Sequence, residues 1–138
     1  MGAPQIHDKY GKKVFRKAFG SDFNSSPAPY SFGKDAGTVR IDGTVRNQIA
    51  VEIESRASKQ VRGALVDIAF HRLPLKLVAI IPAYGNRLTP KQCHVVLERI
   101  CKPSDKFEVV KLNGNGRKPD LERDATIVSQ AVKRLLQK

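Results

Sequence analysis

The chain has 138 residues, enough for one ordinary domain around a single core, and its 25 Lys plus Arg against 13 Asp plus Glu give a formal net charge of +12. Its longest uncharged apolar run, Leu77 to Pro82, is far too short to span a bilayer, and Ile6–Phe19 interleaves Lys and Arg with its apolar residues, unlike a secretory leader. No membrane contact is expected, a cytoplasmic, reducing location follows, and so large a surplus of cations attracts polyanions, above all nucleic acid.

Ile6–Phe19 predicts a basic amphipathic helix with Ile6, Tyr10, Val14 or Phe15, and Ala18 on its apolar face. Lys12, Lys13, Arg16 and Lys17 on that helix are candidates for phosphate contacts. Gly20–Gly37 is rich in Gly, Ser and Pro and predicts an irregular linker, with one short strand around Pro29–Phe32. Thr38–Val45 and Ile49–Ser55 read as two strands of an antiparallel hairpin that turns at Arg46–Gln48. Ser58 caps a helix to about Arg72, with Val61, Ala64, Leu65 and Ile68 as its buried stripe and Pro74 as its stop. His71 falls at the end of that helix, where a cation suits the macrodipole.

Leu75–Pro82 is almost continuously apolar, as a strand covered on both faces must be. Thr89 and Pro90 open a helix to Cys101. Cys93 and Cys101 stand eight residues apart on it, a rise of roughly 12 Å that no disulfide bridges, and no CxxC or HxxxH spacing points to a metal site. Phe107–Leu112 is a further strand. Asn113–Pro119 is a turn without the GxxxxGK[ST] pattern of a phosphate loop, and the last helix, from Pro119 or Asp120, carries Leu121, Ala125, Val128, Val132 and Leu135 at helical spacing. His7 and His94 lack paired ligands. The fold class is therefore α/β, a mixed central sheet flanked by helices. It forms a single domain over 1–138, with the N-terminal helix and linker in 1–37, the core in 38–112 and the C-terminal helix in 113–138.

The hairpin carries the chemistry. Period two places Glu52 and Glu54 on the face opposite Ile49, Val51 and Ile53, and the tight turn sets a register that brings Asp42 beside them. Three carboxylates on neighbouring strands between helical layers repel one another with little water to relieve them. A hard cation resolves the conflict, and an all-oxygen ligand set favours Mg²⁺ or Mn²⁺. In a basic protein such a site suits hydrolysis of a phosphodiester. The competing reading of the same residues is a solvated sheet face on which Glu52 and Glu54 pair with Arg40, Arg46 or Arg56.

The run Ile41-Asp42-Gly43, followed by Val51-Glu52-Ile53-Glu54-Ser55-Arg56 and a helix from Ser58, resembles the PD-(D/E)xK nuclease superfamily, in the ID…ExE form of some type II restriction endonucleases. The resemblance covers about Thr38–Pro82, with Ile6–Phe19 as the preceding helix, and implies a restriction endonuclease-like core. No Pro precedes Asp42, and Glu54 occupies the position of the usual Lys. The resemblance implies that Asp42 and Glu52 bind Mg²⁺ or Mn²⁺ and that Glu54 holds a second metal or orients the attacking water. Lys59 or Arg56 then offsets charge on the phosphate, and Gln60 touches substrate. It further implies double-stranded DNA as substrate and, because one site per chain cuts one strand, a homodimer. Two other readings stay open. One is a structure-selective or repair nuclease on the same core, and the other is a non-catalytic nucleic-acid-binding module. An enzyme acting on small phosphorylated molecules fits the acidic cluster but leaves the charge of +12 without a purpose.

Overall fold

Strand β5 (Ile49–Glu54) is buried along its whole length and stands at the centre of a five-stranded sheet in the computed structural model, which describes residues 3–31, 33–35, 37–55, 58–83 and 89–137. In chain order the elements are α1 (Ala3–Phe19), a 3-10 turn (Gly20–Asp22), β1 (Phe23–Asn24), β2 (Tyr30–Ser31), β3 (Thr38–Val39), β4 (Gly43–Val45), β5, α2 (Ser58–Ala69), β6 (Leu75–Ile80), α3 (Pro90–Ile100), β7 (Lys106–Lys111) and α4 (Leu121–Gln137). The sheet runs β1-β4-β5-β6-β7, and β2 pairs with β3 in a separate ribbon. The β1–β4 and β4–β5 pairs are antiparallel, whereas β5–β6 and β6–β7 are parallel. Both parallel crossovers contain a helix, as parallel neighbours require.

Alternation along the strands builds two cores. Ile49, Val51, Ile53, Leu77, Ala79 and Ile81 pack against α1 and α4. Ala50, Val78 and Ile80 pack against α2 and α3 through Val61, Leu65, Ile68, Cys93 and Leu97. The mixed sheet between helical layers is thus as expected. Thr89 accepts from Gln92 N, and the Gln92 side chain accepts in turn from Thr89 N, a complete capping box at the start of α3. Both cysteines are free, Cys93 buried and Cys101 just past the end of α3, and burial pushes both thiols up, away from reactivity. Among the described residues no helix is long and apolar enough to cross a membrane.

Three sequence expectations are corrected. The strand Thr38–Val45 is two pieces, β3 and β4; Ile53 N donates to the Asp42 side chain in place of a backbone carbonyl, and the β4 ladder ends at Gly43. The linker Gly20–Gly37 supplies β1, an edge strand of the main sheet, besides a strand at Tyr30–Ser31. Helix α2 ends at Ala69, and the cation at its C-terminus is Lys76 rather than His71. Buried Lys76 Nζ donates to the carbonyls of Ala69 (3.2 Å) and His71 (3.0 Å) and pairs with Asp105 at 3.0 Å. Burial and the nearby Arg72 and Lys76 push the pKa of His71 down, so this imidazole is neutral.

Helix α1 is fixed by a buried carboxylate. Tyr10 donates its hydroxyl proton to Asp124 on α4, which also accepts from Asn113 N (2.6 Å) and Gly114 N (3.0 Å). Tyr10 in turn accepts from Asp120 N at 2.9 Å. A Cβ on Gly11 would stand 2.4 Å from the Ile53 side chain, so only glycine lets α1 lie this close to β5.

Lys76→Met is expected to lower stability in urea unfolding by about 3 kcal/mol, since it strands a buried carboxylate and two helix-end carbonyls. Adding Asp105→Ala should recover part of that loss, because no lone charge then remains.

Candidate functional site

The β4–β5 turn places the acidic residues. Arg46 and Asn47 both take φ 54°, Gln48 N donates to the Val45 carbonyl at 3.0 Å, and Gly43 falls opposite Val51. One residue further, Asp42 meets Glu52. The two are cross-linked in both directions, with Asp42 N donating to Glu52 Oε1 (3.1 Å) and Ile53 N donating to Asp42 Oδ2 (2.6 Å). Each carboxylate therefore spends one oxygen on the backbone of the other strand. Glu54 lies two residues on, on the same face, with Oε1 accepting from Ser55 N at 3.1 Å. Glu52 is 6% exposed and Glu54 4%, so neither belongs to a solvated sheet face.

Asp42, Glu52 and Glu54 line one cavity of about 510 Å³ with Asp8 from α1 and Asp67 from α2, five carboxylates in all. Arg40 and Gln5 complete its rim, and Gly63 and Ala64 of α2 leave it open by presenting little or no side chain. Burial is the largest cause of the shifts here. It pushes Asp42 up to about 6 and, with the negative charge of Asp42 added, Glu52 up to about 10. The N–H bonds act the other way, and for Asp42 the Lys12 cation does too. At neutral pH the Glu52 carboxyl therefore holds its proton, while Asp42 is mostly ionised.

Among the described residues no group of three or more His, Cys, Asp or Glu side chains is arranged to hold a metal ion. A two-carboxylate site nevertheless fits the donor chemistry. Asp42 and Glu52 each keep one oxygen free of the backbone bonds, and Mg²⁺ commonly takes one or two carboxylates, filling its sphere with water and phosphate.

The four basic residues read for phosphate contact on α1 have different surroundings. Lys12 turns toward the acidic cavity and pairs with Asp8 at 3.7 Å. Arg16 donates to Ser25 Oγ at 3.0 Å, Lys13 lines a different cavity with Lys9 and Tyr10, and Lys17 is exposed. Arg56 lies outside the described residues, as do the side chains of Lys59 and Gln60 in the first turn of α2. Sequence reasoning missed Asp8 and Asp67. Their signal was faint: each is an acidic residue on the mainly basic or apolar face of a helix that flanks the hairpin.

Glu52→Gln is expected to stabilise the protein, because the amide still accepts from Asp42 N and carries no charge to bury. A buried acid whose pKa is raised on folding contributes stability below its unfolded value near 4.5 that is lost as pH rises toward about 10. The variant should therefore stay within about 1 kcal/mol of the parent at pH 5 and gain about 4 kcal/mol on it between pH 5 and pH 8 in denaturant titrations.

No family model matches the chain, and no curated protein or solved structure matches it either.

Proposed function

We propose that the chain is a metal-dependent DNA endonuclease of the restriction endonuclease-like kind, hydrolysing phosphodiester bonds in double-stranded DNA as a homodimer. The observation that carries this reading is the reciprocal bonding of Asp42 and Glu52, which holds a half-buried and a buried carboxylate side by side in one cavity of a protein with a net charge of +12. Folding a carboxyl group into a site that raises its pKa costs stability, and such costs are commonly retained where a bound cation or a reaction uses them. The order α1, β1, β4, β5, α2, β6 also follows the helix–strand–strand–strand–helix–strand order of the PD-(D/E)xK superfamily, with β2 and β3 as an inserted ribbon.

Asp42 and Glu52 would hold Mg²⁺ or Mn²⁺ through the oxygens their backbone bonds leave over. Bound there, the ion supplies Lewis acidity toward the scissile phosphate. Glu54, buried beside them, orients the attacking water and accepts its proton. Lys12 offsets the acidic charge from the α1 side, and Lys59 or Arg56 takes the same part at the start of α2, where a preorganised cation contributes about 3 kcal/mol to phosphoryl transfer. Arg16 and Lys17 lie further along α1 and contact the DNA backbone outside the cleft. Gln60 touches substrate from the first turn of α2.

A second reading, a non-catalytic nucleic-acid-binding module, draws on the absence of a three-ligand acidic group among the described residues. Plasmid nicking in the presence of Mg²⁺ separates the two. The nuclease reading expects nicking that Asp42→Asn or Glu52→Gln lowers at least about 100-fold, with salt-sensitive DNA binding retained by both variants. Binding without any metal-dependent nicking leaves the module. The acid shifts add a pH signature: a metal competes with the protons on Asp42 and Glu52, so the Mg²⁺ concentration for half-maximal nicking should fall as pH rises from 6 to 9.

A further inference from the structure

On the same face of the sheet, toward the C-terminal end of α2, lies a second, polar cavity of about 300 Å³ lined by Asn24, Tyr30, Thr44, Asn47, His71 and Arg72 among others. Its place follows from the register. Thr44 pairs with Ala50, whose side chain packs toward α2, so Thr44 shares that face with Asp42 and Glu52. It stands two residues from Asp42, about 7 Å along the chain. That separation is about two stacked nucleotides of one strand. The two cavities are thus lined by residues two apart on one segment and on one face of the sheet.

The second cavity is built for hydrogen bonding against a flat ring. The rings of Tyr30 and His71 meet at 5.2 Å between centroids and 48° between planes, forming an aromatic wall. His71 Nδ1 accepts from Leu73 N at 3.2 Å, so the neutral imidazole carries its proton on Nε2, a donor. Asn24 uses its oxygen on Ser26 N at 2.9 Å, which leaves its NH₂ group to donate. Asn47 presents an exposed amide from the hairpin turn, and Arg72 places an exposed cation beside the cavity. Thr44 is 5% exposed, and its hydroxyl has no hydrogen-bond partner. A buried orphan hydroxyl costs stability in the absence of a partner. Pro27 and Pro29 flank the cavity and restrict its wall. A space of this size is at the lower limit of ligand pockets, too small for a duplex and suited to one base.

Resting on the nuclease reading, we infer that this cavity is a recognition pocket for one nucleotide turned out of the DNA duplex, about two positions from the bond cut. Tyr30 stacks on the base, Thr44, Asn24, Asn47 and His71 read its edge, and Arg72 meets the adjoining phosphate.

The test is binding of fluorescein-labelled octamers of dT, dC and dA in EDTA, read by anisotropy, so that no cleavage is needed. One base is expected to bind best. Tyr30→Ala should weaken that octamer about 10-fold or more. Thr44→Val should weaken it about 5-fold and narrow the gap between bases. Thr44→Val should also melt at or above the parent temperature, since it removes an orphan hydroxyl, and this shows that lost binding is not lost folding. Equal affinity for all three octamers, or base preference untouched by both variants, overturns the pocket. Failure of plasmid nicking with base preference still sensitive to Thr44→Val removes the catalytic reading and leaves the pocket standing. Nicking lost in Asp42→Asn alongside unaltered octamer preference in Thr44→Val does the reverse.

Discussion

Two backbone N–H groups, one from each of two adjacent strands, hold the carboxylates of Asp42 and Glu52 in place. The exchange terminates the β4 ladder, fixes where each side chain points, and keeps both in a setting that resists their ionisation. Water would relieve that resistance, but β5 is covered by α1 on one side and α2 on the other, and little water reaches Glu52. The arrangement is therefore stable only because the surrounding packing is large. Its conflict is eased by a proton at neutral pH and, in the function proposed above, by a divalent cation when DNA is bound.

The rest of the molecule serves that geometry. Gly11 lets α1 settle onto Ile53 and so brings Asp8, with Lys12 paired to it, to the acidic cavity. The Tyr10–Asp124 bond anchors the same helix to α4 from behind. Lys76 closes the end of α2 by binding the carbonyls of Ala69, its last residue, and of His71 just beyond it, with Asp105 as counter-ion. This frees His71 from any role as a cation and leaves it as a neutral wall of the second cavity. The net positive charge and the acidic pit are not in contradiction. A positive surface gathers a polyanion, and in the function proposed for this chain the local negative site would hold the cation.

Much of this was legible. Period two in Ile49–Glu54 placed Glu52 and Glu54 on one face, and the short turn after Val45 put Asp42 next to them. The stripes of α2 and α4 were read correctly because a helix buried on one side must repeat its apolar residues at 3.6. Less was legible where a tertiary contact sets the structure. Two-residue β1 has no period to detect and exists because it pairs with β4. Asp42 was assigned to a strand, and its side chain instead replaces the ladder that would have made it one. The end of α2 depends on a lysine seven residues after Ala69.

The order of elements, the two-sided burial of β5 and β6 and the presence of an acidic trio facing away from the aliphatic stripe were decided by the sequence itself, because pattern and turn chemistry act over a few residues. The tertiary structure alone decided which further carboxylates join that trio. Asp8 and Asp67 reach the cavity from separate helices, Lys12 parts company with Lys13 and Arg16, and Thr44 is left without a partner beside Tyr30 and His71. The reason is distance along the chain. Residues tens of positions apart come together through packing of whole layers, which no local period encodes, and the cost of burying a charge is known only once its neighbours are in place.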